Sequence, residues 1–452
     1  MLLMISKSAQ PDKHPVDALK KLTDSLSDQY HPTVNPLLSR QAELFGVPVR
    51  SLQSTPRDGF RRTSYIDEDV VGAELYAKGS TLIAIRLIEI TRARAHRDEN
   101  GKIVSKESTA CYLSVAYAGP TLDDNVMDEF EGHVKAVWGV ELREDNQPSR
   151  KLSEIENLGQ GGKAEEPTEQ DVKCAAILSD KATRVLAIAI KSSSGLLLSD
   201  APKQIPQKDR GRLDEVVQSL IAAGVVETEI VVICSKTGSQ VNRLPNMGVL
   251  QRLDEQNVRC SCGKSLSLEK AEEALSVTEY GRTMLDGSRW LSVLVLQNLT
   301  DLGVSIENIR MEQEYAGEEV DCVAEVYGRL ALFELKDKQF NLGNAYSFGA
   351  KVGIFRPDYP VIVTTEKVGS DARDHFVRSA QRGKRSQRFS VSDSETVNNI
   401  RFIEGMSALR RGLEEIVTSI SIEAFAPFVQ SALNFSTTSP GAILSAWAGK
   451  DH

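Results

Sequence analysis

Three polar side chains in EEVDCVAEVYGRLALFELKDKQF, residues 318–340, have the types and spacing for metal-assisted hydrolysis. Asp321 falls on one expected strand and Glu334 and Lys336 on the next, with a tight turn at Tyr327-Gly328 between them. Side chains alternate along a strand, so Asp321, Val323 and Glu325 share one face. Glu334 and Lys336 likewise point together. A two-residue turn sets Asp321 opposite Glu334 with Lys336 on the same side, whereas a three-residue turn breaks that parity. The reverse face, Cys322, Ala324, Val326, Ala331, Phe333 and Leu335, is apolar and suited to a core. Two carboxylates offer hard oxygen ligands to Mg²⁺ or Mn²⁺. Such an ion polarises a phosphoryl group and lowers the pKa of its water. A lysine beside it stabilises the charge that develops on phosphorus oxygens. The chemistry is phosphodiester hydrolysis. Glu325, Asp337 and Lys338 read as surface charges.

A second set of donors lies upstream. CSKTG (234–238) and RCSCGK (259–264) resemble the two knuckles of a zinc ribbon. Zinc takes four ligands, usually in closely spaced pairs. Here Thr237 stands where a cysteine would complete the first pair, and Cys260 and Cys262 are separated by one residue. Cys234, Cys260 and Cys262 could hold Zn²⁺ only with a donor from elsewhere, so the segment reads as a degenerate ribbon that has lost its metal. Cys111, Cys174 and Cys322 read as small buried residues.

The elements that must carry these groups follow from periodicity. GSRWLSVLVLQNLTDLG is apolar nearly all round, with Trp290, Leu291, Leu294, Leu299 and Leu302, and predicts a buried helix ending at Gly303. Strands are expected at 309–315, 319–326 and 330–336, then a helix at 344–353, a strand at 360–364, a helix at 371–381, a strand near 401–403 and helical segments to the end. Lys351 lies on the first of those later helices. Arg378 and Arg382 share a face of the second, and with Arg373, Lys384, Arg385 and Arg388 they form the most basic stretch of the chain. Phosphate neutralisation there would make nucleic-acid binding salt-dependent. His375 has no partner at metal-ligand spacing and reads as exposed.

Residues 144–170 are rich in charge, Gly and Pro and predict a linker. Three sections result: 1–165, 166–285 and 286–452. In the first, GAELYAKGSTLIAIRLIEITRARA and STACYLSVAYAG have strand-like spacing, Asn100-Gly101 is a hairpin signal, and 123–138 has helical periodicity. It reads as an α/β domain without an assignable motif. In the second, DRGRLDEVVQSLIAAGVVETEIVVIC predicts a helix, a stop at Gly224 and an apolar strand, an order seen in winged-helix domains and in any α/β unit.

The chain has 452 residues, 41% hydrophobic and 26% charged, enough for several cores. Its formal net charge of -9 is opposite to that of many DNA-binding proteins, so local basic patches must carry that case. Six cysteines in this length do not form a disulfide framework. The apolar start MLLMI is too short for a secretory signal, and no apolar run reaches membrane-spanning length. A cytoplasmic protein with no membrane partner is expected. No GxxxxGK[ST] loop is present.

Residues 286–405 resemble the PD-(D/E)XK nuclease superfamily, the restriction-endonuclease-like fold. GSRWLSVLVLQNL and VDCVAEVYGRLALFELK look most like the nuclease domains of CRISPR-associated effectors that answer cyclic oligonucleotides, and Holliday-junction resolvases share that core. The resemblance sets Asp321 at the family's aspartate and Glu334 and Lys336 at its ExK, with the Leu335 carbonyl as a further metal ligand. It implies a Mg²⁺- or Mn²⁺-dependent DNA endonuclease, RNA remaining open, in bacterial anti-phage defence. Lys351 would touch the nucleic-acid backbone, and a double-strand cut would favour a homo-oligomer. One departure is Ser292, near where relatives carry a glutamate; Glu312, Glu314 or Glu319 could supply a third carboxylate instead, and otherwise the site has two acids and a weaker hold on the metal. An alternative expectation follows: a nucleic-acid-binding or scaffolding subunit of a defence complex with an inactive nuclease fold.

Overall fold

The computed structural model describes residues 2–32, 66–97, 103–144, 150–158, 164–315, 318–386 and 400–432, with Leu444 and Trp447. The protein is an α/β chain in two compact units, one of 1–152, 325–329 and 414–452, the other of 153–324 and 330–413.

The first unit opens with β1 (Leu3–Ala9), α1 (Ala18–Ser25) and β2 (His31–Pro32). Then come β3 (Ile66–Lys78), β4 (Thr81–Arg97), β5 (Ile103–Gly119), α2 (Asp124–Trp138) and β6 (Arg143–Glu144). They form one sheet in the order β2-β3-β4-β5-β1-β6, antiparallel throughout. The expected apolar run at 72–95 is two strands, split at Gly79-Ser80, where Gly79 takes φ 59°. The run looks continuous because both sheet faces are buried. Ile83, Ile85 and Leu87 join α1 and α2 residues in one core, while Leu82 and Ala84 join a second. Helix α2 starts where Asp123 accepts the Asn125 N–H at 3.0 Å and ends at Gly139, φ 70°. Asn100-Gly101 lies outside the described residues.

The expected linker contains a helix, α3 (Arg150–Leu158). The second unit continues with α4 (Glu169–Ser179), α5 (Lys181–Ser192), β7 (Leu196–Leu197), α6 (Leu213–Ala222), β8 (Val226–Ile233), β9 (Gln240–Leu244), α7 (Met247–Glu255), β10 (Lys270–Val277) and α8 (Glu279–Leu285). Its first sheet has the order β7-β10-β8-β9, all antiparallel. Gly224 takes φ 70° between α6 and β8, as the sequence suggested.

Next come α9 (Arg289–Asp301), β11 (Ile309–Tyr315), β12 (Glu318–Val326), β13 (Arg329–Lys336), α10 (Leu342–Phe355), β14 (Tyr359–Thr364), α11 (Ser370–Ser386) and β15 (Arg401–Glu404). The sheet runs β11-β12-β13-β14-β15 in chain order, with β11/β12 antiparallel and β13/β14 and β14/β15 parallel. The parallel strands need helical crossovers, which α10 and α11 supply. β14 is buried at every position, as a strand covered on both faces should be.

The section expected at 166–285 and most of the one expected at 286–452 fall in one unit. Buried Arg184 on α5 reaches Asp337 at 2.9 Å, and Trp290 on α9 donates to the same carboxylate at 3.2 Å. Asp337 is therefore not the expected surface charge. The last helix, α12 (Leu409–Ala432), belongs from Glu414 onward to the first unit rather than to the section before it. There Phe425, Phe428 and Val429 complete the second core of the six-stranded sheet. Among the described residues no helix is long and apolar enough to cross a membrane.

Candidate functional site

The β12–β13 hairpin has the two-residue turn on which the site depends. Tyr327 and Gly328 both take positive φ, 49° and 74°, the conformation of a type I′ turn whose twist matches the flanking strands. The parity then holds, and three charged groups converge. Lys336 Nζ lies 2.8 Å from Glu334 Oε1 and 3.4 Å from Asp321 Oδ2. The Leu335 N–H donates to Asp321 Oδ2 at 2.6 Å, fixing that carboxylate against the neighbouring strand.

A fourth group closes the cluster. Lys351 on α10 donates to Glu334 Oε2 at 2.8 Å. It is 5% exposed, so it does not present itself to a nucleic-acid backbone as expected. Its spacing carried the signal. Ala345, Phe348, Val352 and Phe355 form the buried stripe of α10, and position 351 lies on that stripe. Glu334 thus has one lysine on each oxygen, and it is 3% exposed. Asp321 and Lys336 form the open side of the cluster.

The electrostatics follow from burial. Desolvation, then the Glu334 charge, push the Asp321 carboxyl above the ordinary aspartate range against the pull of Lys336. For Lys336, burial works against the charged ammonium, but the Asp321 and Glu334 carboxylates outweigh it and raise its pKa.

Other expected site residues fall differently. Ser292 is buried on α9. Glu312 takes φ 49° between the pairs Met311–Cys322 and Gln313–Val320, and it is exposed, as are Glu314 and Glu319. Among the described residues, no third Asp, Glu, His or Cys donor clusters with Asp321 and Glu334. Glu325 is buried rather than a surface charge. Lys338 is exposed.

On α11, Arg373 is committed to the fold, pairing with Glu404 at 2.8 Å and covering the Phe402 ring. Arg378 is exposed and lies 3.8 Å from Asp374, a weak surface pair. The helix continues to Ser386, which carries 378, 382 and 385 along one helical face. The side chains of Arg382, Lys384 and Arg385, and all of Arg388, lie outside the described residues. His375 is half-buried, its ring edge against Tyr346 with centroids 4.4 Å apart.

The cysteine loops also converge. Ligand atoms of Cys234, Cys260, Cys262 and Glu269 lie within 4.8 Å of one another. Glu269 was missed because no spacing rule ties it to the two CSKTG- and RCSCGK-type turns. The Thr237 hydroxyl and backbone N–H hold the Cys234 thiol down to about 7. Cys262 donates to Glu269 Oε1 at 2.8 Å. That bond raises the thiol to about 12 and lowers the carboxyl to about 2.

No protein-family model matches the chain, and no curated protein matches it. Among solved structures, protein VC1899 from Vibrio cholerae is similar at 12% identity with a TM-score of 0.33. The match covers 65% of this chain and spans 65% of that one.

Proposed function

We propose that the chain is a metal-dependent nuclease that hydrolyses phosphodiester bonds, acting on DNA as an endonuclease. The observation that carries this reading is the convergence of Asp321, Glu334 and Lys336 across a hairpin. A cation between the two acids fits the donor set, because the Lys336 ammonium already bridges them at 3.4 and 2.8 Å. Asp321 and Glu334 would hold Mg²⁺ or Mn²⁺, with the Leu335 carbonyl as the ligand that the family resemblance adds. When bound, the ion would acidify a water and offset charge on the leaving oxygen.

The chain's own residues do the rest. Lys351 fixes the Glu334 carboxylate, and the Leu335 N–H fixes Asp321. Lys336, on the open side, can donate a hydrogen bond to a non-bridging phosphate oxygen as charge accumulates there. The element order α9-β11-β12-β13-α10-β14 supports a restriction-endonuclease-like core. The strand order β7-β10-β8 beside α4 to α6 supports a winged-helix-like section carrying the ribbon-like lobe. Arg378, Arg382, Lys384 and Arg385 on α11 would meet the nucleic-acid backbone. The resemblance suggests a cytoplasmic role in anti-phage defence, with a homo-oligomer or a partner protein completing the assembly.

A second reading has its own observations. Both Glu334 oxygens are occupied by lysines, and Ser292 replaces a carboxylate of the family. These favour a nucleic-acid-binding subunit with a silent nuclease fold.

Purified protein is expected to nick or cut supercoiled or single-stranded DNA with Mg²⁺ or Mn²⁺. Asp321→Ala and Lys336→Ala should each lower the rate by roughly 10²-fold or more while circular dichroism stays native. Cleavage that survives both substitutions refutes the assignment. Wild-type protein that binds DNA and cuts neither DNA nor RNA selects the second reading.

A further inference from the structure

Between β8 and β10 lie two turns built to one plan. In the first, the Cys234 N–H donates to the Ser239 carbonyl at 2.9 Å and the Gly238 N–H returns to the Cys234 carbonyl at 2.8 Å. In the second, the Cys260 N–H donates to the Lys264 carbonyl at 2.9 Å and the Gly263 N–H returns to the Cys260 carbonyl at 2.8 Å. A glycine with positive φ closes each, Gly238 at 70° and Gly263 at 92°. The residue before that glycine is Thr237 in one turn and Cys262 in the other. The second turn is one residue tighter, which accounts for its Cys-Ser-Cys spacing.

We propose that Cys234, Cys260, Cys262 and Glu269 together bind one structural Zn²⁺. Their ligand atoms lie within 4.8 Å of one another. Zn–S bonds of ~2.3 Å and a Zn–O bond of ~2.0 Å place tetrahedral ligand atoms ~3.5–3.8 Å apart, so the set closes on an ion with small movements. Glu269 supplies the donor that Thr237 lacks. Its Oε2 accepts from the Ser235 N–H and Oγ, both at 2.7 Å, which leaves Oε1 aimed at Cys262. Outer hydrogen bonds of this kind orient a metal-binding carboxylate. Three thiols select a soft or borderline ion over Mg²⁺.

The lobe around the site has a small core, Val232, Leu244, Leu250 and Leu266 with Cys234 and Cys260, and its three cysteines form no disulfide. Binding expels the thiol protons to solvent, including the one that Cys262 donates to Glu269. The site is independent of the nuclease reading, since it shares no residue with the Asp321 cluster.

The full chain, purified under reducing conditions without chelator, should contain about one zinc per chain by elemental mass spectrometry. Replacement by Co²⁺ should give the visible bands of a tetrahedral ion with thiolate charge transfer. Cys260→Ser and Glu269→Ala should each weaken zinc by roughly 10-fold or more in chelator competition. Folded wild-type protein with reduced thiols, no zinc and no tetrahedral Co²⁺ spectrum overturns the proposal. So does a Glu269→Ala protein whose cobalt spectrum and affinity match wild type. The wild-type measurements decide the matter even where a variant fails to fold.

Discussion

Burial and the Glu334 charge both work against an ionised Asp321, and its raised pKa has a consequence for stability. An acid whose folded pKa exceeds its unfolded one favours folding in the protonated form. That contribution is complete below the unfolded aspartate value of ~3.9 and is lost as pH rises through the folded value. Asp321→Asn keeps the acceptor for the Leu335 N–H and removes the charge. It should therefore raise the melting temperature at neutral pH, and the gap to wild type should close as pH falls through the folded pKa of Asp321. Added Mg²⁺ should stabilise wild type and leave the variant unmoved. An Asn variant that melts below wild type at pH 7 would contradict this account of the cluster.

At the scale of the element, the hairpin turn decides which residues meet. Tyr327 bears a positive φ normally left to Gly or Asn, and within the first unit its hydroxyl accepts the Met4 N–H at 3.1 Å. Inserting one glycine between Tyr327 and Gly328 should rotate Glu334 and Lys336 away from Asp321. Cleavage should vanish while far-UV circular dichroism remains. Retained cleavage would mean that the register does not assemble the site.

This geometry was legible because strands alternate with period two and Gly328 marks the turn, although Tyr327 is an unusual residue for its first position. The helices and strands from 289 to 404 were legible too from their apolar periods, with glycines after α9 (Gly303) and β15 (Gly405), while α10 stops on Arg356 instead. Lys351 was misjudged because its charge outweighed its position on the apolar stripe of α10. Arg184, Asp337 and Glu269 were out of reach, because their partners lie far along the chain and no local pattern links them. The split at Gly79-Ser80 was hidden by a sheet that is buried on both faces, which erases alternation.

At the scale of the whole chain, the pair Arg184–Asp337 ties the two expected domains together within one unit. Arg184 also donates to the Leu178 and Ser179 carbonyls at 2.7 and 3.1 Å, so its guanidinium is held from several sides. Asp337→Ala would strand that charge and should cost about 3–5 kcal/mol in urea denaturation. Replacing both partners by apolar residues should recover part of the loss. A single substitution within 0.5 kcal/mol of wild type, roughly the scatter of exposed sites, would show that the pair is not what joins the sections.

Asp337 follows Lys336 directly, so the residue that faces the acids and the residue that grips helix α5 are consecutive links of one strand end. A displacement of α5 would arrive at the lysine ammonium through a single peptide unit. The fold thereby gives an upstream event a short mechanical route to the cluster of Asp321, Glu334 and Lys336.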